Sequence, residues 1–447
     1  MKSWFPILCF ALFTLEAALP ARPPNVIFIL ADDLGYGDIG PFGQKLIRTP
    51  NLDRMAAEGT RYVQSYTGAT VCAPSRCSLM TGFHNGHAAI RGNREIKPEG
   101  QEPMPAGTYT VAHLFKQAGY ATGATGKWGL GYPGSTSTPD KMGFDYFFGY
   151  NCQLLAHNYY PDHLWRNNER IELDGKTYSH DLMAGEALEF IRRNRARPFF
   201  LYAAFTIPHS KLQIPDLGPY GNEPWPENLK TSAAMITRLD RDVGRILALV
   251  KELGLDDDTL VFFASDNGAV WRDELFHHSG LLRGYKRDMY EGGIRSPTIA
   301  RWPGHIAKGA TSDQVWAFWD FLPTMGELVG VKPPAGLDGI SVLPALLGRR
   351  KISHPPLYYE FHERGFHQAA RMGDWKAVRL GTKEPIQLYD LPRDPSETTD
   401  VAAKHPEVVA QFEKFLKEAR TDTPVWPINE SPRGGRRGQK ATQTQSN

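Results

Sequence analysis

The sequence predicts an α/β fold: a large mixed, mostly parallel sheet sandwiched by helices, then a smaller antiparallel sheet with one helix. Three observations carry this prediction. First, continuous apolar runs of strand length recur, "NVIFILADD" at 25–33, "RPFFLYAAFTIPH" at 197–209 and "TLVFFASDNG" at 259–268. Such runs suit strands buried on both faces, as in a parallel sheet. Second, helical patterns fall between them, clearest over 235–253, where Ile236, Leu239, Val243, Ile246, Val250 and Leu253 share one face. Strands alternating with helices build a mostly parallel sheet. Third, the texture changes after about Val331. "GVKPPAGLDG" is a Pro/Gly connection, and "AARMGDWKAVRL" and "IQLYDL" read as short strands joined by turns. "PEVVAQFEKFLKEAR" then reads as an amphipathic helix with Val408, Phe412, Phe415 and Leu416 on its apolar face.

The chain has 447 residues, long enough for two domains. The expected division is a signal peptide at 1–21, an α/β domain at 22–335, an α+β subdomain at 336–430 and a disordered tail at 431–447. The signal reading rests on Lys2, an apolar run over 4–15, and the small residues Ala17, Ala18 and Ala21. That run is too short to span a bilayer, and no later segment qualifies. The expectation is therefore an exported protein, periplasmic or secreted, with no integral membrane span once the signal is removed. The tail, "SPRGGRRGQKATQTQSN", lacks the apolar residues a core needs. A net charge of +2 gives no reason to expect a nucleic-acid partner.

Ligands of open α/β sheets gather at the carboxyl ends of strands. Two predicted strands end in Asp32-Asp33 and in Asp266-Asn267. Those groups offer only oxygen, which suits Ca²⁺ or Mg²⁺; taken singly, each could equally cap a turn. If Cys9 leaves with the signal, Cys72, Cys77 and Cys152 remain, an odd number for an exported chain, so at least one is unpaired or modified. Zinc is disfavoured, because Cys72 and Cys77 have no second pair at ligand spacing. For Cys72, in "VCAPSRCSLMTG" at 71–82, a disulfide, a metal clip, a nucleophile and a buried thiol all remain open on these grounds.

The run from Cys72 through Pro74, Ser75 and Arg76 to Thr81 and Gly82 resembles the sulfatase signature. "GKWGLG" at 126–131, "IPH" at 207–209, "SDNG" at 265–268, "YKRDMYEGGIRSP" at 285–297 and "QLYDLPRDPSE" follow in the family's order. From Asn25 to about Arg420 the chain resembles type I sulfatases of the alkaline-phosphatase-like superfamily. The resemblance implies a sulfuric ester hydrolase acting on a sulfated carbohydrate or an aryl sulfate. It implies that a maturating enzyme reads Pro74, Ser75 and Arg76 and oxidises Cys72 to formylglycine. One hydroxyl of the hydrated aldehyde attacks sulfur, and the second drives release of sulfate, which a plain serine could not do. Asp32, Asp33, Asp266 and Asn267, with the modified Cys72, would bind Ca²⁺, Mg²⁺ being the alternative. Arg76 would hold the diol, Lys127, His209 and Lys286 would contact sulfate, and His209 or a lysine beside it would protonate the leaving oxygen.

Gly129 departs from the pattern, since many relatives carry His two residues after the lysine of that segment. His84 and His87 are the nearest imidazoles in sequence to Cys72 but read as structural, and Arg91 and Asn93 fall near the expected pocket without a role. Cys77 reads as a buried free thiol. The stretch "YNCQLLAHNYYPDHLWRN" at 150–167 reads as a substrate-shaping loop, with His157 binding a sugar hydroxyl and Tyr159, Tyr160 and Trp165 packing. The rival functions are a phosphonate or phosphate ester hydrolase on the same scaffold, or a non-enzymatic glycan-binding protein with unmodified Cys72.

Overall fold

The three apolar runs become three adjacent parallel strands at the centre of one sheet. The computed structural model describes residues 23–429; the expected signal peptide at 1–21 and tail at 431–447 lie outside the described residues. In chain order the strands are β1 (Asn25–Ala31), β2 (Thr60–Tyr62), β3 (Ser65–Tyr66), β4 (Ala121–Lys127), β5 (Tyr146–Tyr150), β6 (His163–Arg166), β7 (Glu169–Glu172), β8 (Phe199–Ala204), β9 (Thr259–Ser265), β10 (Thr298–Arg301), β11 (Ala310–Ser312), β12 (Trp316–Ala317), β13 (Leu357–Phe361), β14 (His367–Met372), β15 (Trp375–Arg379) and β16 (Gln387–Asp390). The helices that matter below are α1 (Pro50–Glu58), α2 (Cys72–Thr81), α3 (Val111–Gln117), α4 (Ser179–Asn194) and α5 (Glu227–Glu252).

The large sheet has the order β11-β2-β10-β9-β1-β8-β4-β5-β6-β7. Its five central strands, β9 through β5, are parallel. Antiparallel pairing flanks them on both sides. Strand alternation separates two cores. Val26, Phe28 and Leu30 of β1 face one core with residues of α2, α3 and the helix Phe321–Val329. Ile27, Ile29 and Ala31 face the other, with residues of α1, α4 and α5. Both faces of β1 are buried, which is why its sequence is apolar without alternation.

On α5 the expected stripe of Ile236, Leu239, Val243, Ile246 and Val250 is buried. Each such side chain contributes about 1.5–3 kcal/mol relative to exposure. The helix begins eight residues before the periodicity starts, because Thr231, Ser232 and Ala233 are buried there without an apolar signature. Leu253 lies past its end and is half-buried.

The second sheet is antiparallel, in the order β13-β14-β15-β16. Tyr358, Ala370, Ala377 and Leu388 pack under Phe412 and Leu416 of the helix Pro406–Glu418. Leu357, Tyr359, Phe361 and Val378 on the opposite face pack on Tyr66, Ile294 and Trp319. Among the described residues no helix is long and apolar enough to cross a membrane.

Register places the site. Ala31 of β1 is level with Ser265 of β9, so Asp32 and Asp266 leave the sheet side by side. Gly126 of β4 is level with Ala204 of β8. Gly126 has φ +104°, and a Cβ there would lie 1.9 Å from the Ala204 carbonyl oxygen, so glycine is required immediately before Lys127.

Candidate active site

Six segments deliver the expected residues to one place, Lys286 from the loop before the helix Glu291–Ile294. Asp32 and Asp33 follow β1, Asp266 and Asn267 follow β9, Lys127 ends β4, His209 lies in the loop after β8, and Cys72 is the first residue of α2. Pro74 falls within the first turn of α2, where amides have no intrahelical partner to lose. Val71 cannot cap this helix through its side chain; Asn93 does so from a distant loop, its Oδ1 accepting from the Ala73 amide at 3.1 Å. The whole of α2 is buried.

The Cys72 Sγ is 3.4 Å from Asp32 Oδ1 and 3.3 Å from Lys286 Nζ. Lys127 Nζ donates to Asp32 Oδ2 at 2.7 Å, and Lys286 Nζ to Asp33 Oδ1 at 2.6 Å. Arg76 donates from Nε and Nη2 to Asp266 Oδ2, at 3.0 and 2.8 Å, and from Nη1 to the Lys127 carbonyl at 2.7 Å. His209 Nε2 lies 3.2 Å from Asp33 Oδ2 and 3.3 Å from Lys286 Nζ, while its Nδ1 meets the Ser210 carbonyl. Thus Arg76, Lys127, Lys286, His209 and Cys72 converge on the carboxylates of Asp32, Asp33 and Asp266.

Three buried carboxylates face three buried cations. Burial alone would raise Asp32, but Lys127, His209, Arg76 and Lys286 outweigh it and hold its carboxyl well below the usual range. Asp266 goes the other way: burial, then Asp32, pushes it up to about 7 against the pull of Arg76. Burial pushes His209 down to about 4, leaving a neutral imidazole. Burial opposes the charge of Lys286, yet Asp33 and its neighbours raise it above an ordinary lysine. The Cys72 thiol is pushed up to about 12 by burial and by Asp32, so an unmodified Cys72 is uncharged and weakly nucleophilic at neutral pH.

The oxygen set fits a hard cation. Asn267 spends its Nδ2 on Asp33 Oδ1 at 2.7 Å and on the Gly268 carbonyl, while its buried Oδ1 has no hydrogen-bond donor. A buried acceptor without a donor, beside two carboxylates, is the environment an oxygen-seeking cation satisfies. Asp32, Asp33, Cys72 and His209 bring ligand atoms within 4.8 Å of one another. Asp266 stands outside that group, its Oδ1 taken by the Asp33 amide and its Oδ2 by Arg76.

A cavity of about 320 Å³ opens over Cys72, His209 and Lys286. His157 lines it, with its ring flat on that of His209, centroids 4.3 Å apart and planes 9° apart. Tyr159 is buried, and its hydroxyl lies 2.8 Å from the carbonyls of both Thr206 and His209. Tyr160 meets Tyr178 at a tilt, and Trp165 donates to Glu99, so Tyr159, Tyr160 and Trp165 all pack. His84 and His87 stack on each other and pair with Asp338; neither lines the cavity. Arg91 pairs with Glu360. Cys72, Cys77 and Cys152 are all free and buried.

The family model described as Sulfatase matches residues 24–331. The chain belongs to the sulfatase family. A second family model, N-sulphoglucosamine sulphohydrolase, C-terminal, matches residues 283–422. This sulfatase is 35% identical to rat (Rattus norvegicus) N-acetylgalactosamine-6-sulfatase, over 83% of this chain and 74% of that one. It is 33% identical to human (Homo sapiens) arylsulfatase A, over 93% of this chain and 91% of that one. It resembles the crystal structure of Ps i-CgsB in complex with k-i-k-neocarrahexaose, with a TM-score of 0.80 and 29% identity over 91% of this chain and 95% of that one. The fold is that of the alkaline-phosphatase-like superfamily, and the chain is a sulfuric ester hydrolase. Among the polar residues that line the sulfatase's cavity, the sequence did not single out Glu95, Gln101, Gln153, Ser210, Arg287 or Glu363. Arg287 and Ser210 adjoin Lys286 and His209, and Gln153 lies in the loop read as substrate-shaping.

Proposed function

We propose that this sulfatase removes sulfate from a sulfated carbohydrate, outside the cytoplasm, with Cys72 converted to formylglycine and Ca²⁺ bound at the ends of β1 and β9. The observation that supports this most directly is Cys72 itself. It opens a buried helix, within 3.4 Å of Asp32 and 3.3 Å of Lys286, in surroundings that suppress its thiolate. Hydrated formylglycine would supply an oxygen nucleophile with a second hydroxyl on the same carbon, and Ca²⁺ would supply Lewis-acid stabilisation of that nucleophile and of sulfate. Asp32, Asp33 and Asn267 would hold the ion, with Asp266 joining if it exchanges part of its contact with Arg76.

The chain's own residues then do the following work. Arg76, fully buried, ties Asp266 to the Lys127 carbonyl and so fixes the ends of β9 and β4 relative to α2. Lys127 and Lys286 place positive charge where the sulfate oxygens would lie, in a water-poor pocket where charge acts strongly. His209 or Lys286, whose Nε2 and Nζ lie 3.3 Å apart, would protonate the leaving oxygen. The carbohydrate reading draws support from relatives named for sugar sulfates and from His157, whose ring makes no side-chain hydrogen bond among the described residues while lining the cavity.

The test is to co-express the chain with a formylglycine-generating enzyme, analyse the Cys72 peptide by mass spectrometry, and measure sulfate release from sulfated monosaccharides and 4-methylumbelliferyl sulfate. Conversion of Cys72 in parallel with sulfate release is expected. Full activity with unmodified Cys72, or release of phosphate but not sulfate, would overturn the reading.

A further inference from the structure

Two residues that line the cavity, Gln101 and Glu363, each carry a buried polar atom with no partner. Gln101 is fully buried; its Oε1 accepts from the Arg94 amide at 3.2 Å, while its Nε2 donor has no partner. Glu363 lies in the tight turn between β13 and β14, so the C-terminal sheet reaches the cavity through it. Its Oε2 accepts from Arg287 Nε at 3.0 Å, and its buried Oε1 accepts from nothing. Arg287 is held in place by its own backbone: its φ is +76°, and its amide donates to the Thr70 carbonyl at 3.0 Å.

A buried donor and a buried acceptor left unpaired are costly unless a ligand satisfies both. A sulfate or carboxylate offers acceptors only; it would leave Glu363 Oε1 unpaired and set a negative charge beside it. A hydroxyl is both donor and acceptor. The lining also includes Glu95, and its lysine and arginine, Lys286 and Arg287, are already paired with Asp33 and Glu363. We infer that Gln101 and the Arg287–Glu363 pair form a subsite for neutral sugar hydroxyls, selecting sugars in which the group beside the departing sulfate is a hydroxyl rather than a second anion. This rests on the proposed carbohydrate sulfatase activity.

The test uses ratios of activities from one enzyme sample, which cancel any loss of folded protein. The substrates are N-acetylgalactosamine 6-sulfate and 4-sulfate, galactose 6-sulfate, N-acetylgalactosamine 4,6-disulfate and 4-methylumbelliferyl sulfate. For Glu363→Met and for Gln101→Met, the kcat/KM ratio of the best monosulfated sugar to the aryl sulfate should fall at least about tenfold, since the aryl group has no hydroxyl to lose. For Glu363→Lys, the ratio of disulfated to monosulfated sugar should rise by about as much. Unchanged ratios in all three variants would overturn the subsite. Turnover of the aryl sulfate but of no sugar by the wild-type enzyme would overturn it too, leaving sulfatase activity intact. Turnover of none of the substrates by enzyme with modified Cys72 would remove the functional reading on which it stands.

Discussion

Gly129 shows how one residue constrains chemistry. Its φ is +68°, and a Cβ there would lie 2.5 Å from Gln153 Nε2, which donates to the Gly129 carbonyl at 3.2 Å. The Gln153 amide therefore fills the space beside this position. Gly129→His should destabilise the protein by about 1–2 kcal/mol from the left-handed backbone alone, with no gain in kcat. A calorimetric Tm equal to wild type together with faster turnover would contradict this. Cys72→Ala should abolish turnover while leaving Tm nearly unchanged, because only a small side chain leaves a site made of charges; Cys72→Ser should also fail in steady state. Retained turnover in the alanine variant would remove Cys72 from the chemistry. Cys72, Lys127, His209 and Lys286 drew attention because each sits in a string that resembles a family motif, and the structure brings all four to Asp32 and Asp33. Gln101 and Glu363 did not. Each is an isolated polar letter that meets the cavity only because distant segments fold against it, and neither left a spacing signal.

At the scale of elements, the central strands were legible and the outer ones were not. β1, β8 and β9 are buried on both faces and read as unbroken apolar runs. β7 is largely exposed and polar, and β2 is only three residues long, so neither rises above the surrounding loops. β13 is fully buried, but Glu360 interrupts its apolar letters. That glutamate explains its own presence. Glu360 Oε1 pairs with Arg91 at 3.2 Å and His362 at 2.9 Å, and its Oε2 pairs with Arg420 at 3.0 Å, so β13 is clamped to the segment after α2 and to the chain's C-terminal part. Burial opposes its charge, but His362, Arg91 and Arg420 prevail and pull its carboxyl from 4.5 to about 2. Because the folded value is depressed, the stability it contributes is present above pH 4.5 and is lost as pH falls through about 2. The linkage corresponds to about 3 kcal/mol. Glu360→Gln should therefore destabilise the protein at pH 7 and flatten the fall in stability between pH 4.5 and 2. Urea unfolding across that range checks it; parallel curves for wild type and variant would mean the clamp carries no such linkage.

At the scale of the whole molecule, the site joins residues more than two hundred positions apart. The resemblance anticipated this set, but only the register of β1 with β9 sets the distance between Asp33 and Asn267. An ion bound there would tie β1 to β9 and to the start of α2, so its removal should be felt by the entire fold. A ligand that binds only the native state stabilises it by about 4 kcal/mol at a thousandfold excess over its Kd. For a chain of this size that is a rise in Tm of roughly 4 °C. Chelator-treated enzyme should therefore melt lower than enzyme in millimolar Ca²⁺, and its sulfatase activity should return with the ion. Mg²⁺ should restore less, since it demands octahedral geometry and gives up water reluctantly. Zn²⁺ should not substitute well, because the available donors are mainly oxygen. Asn267→Leu removes the unpaired acceptor beside Asp33. It should abolish most of the Ca²⁺-dependent rise in Tm while lowering the Tm of chelated enzyme much less. A wild-type Tm indifferent to chelator and to Ca²⁺ would show that the three cations already neutralise the carboxylates and that no ion is held there.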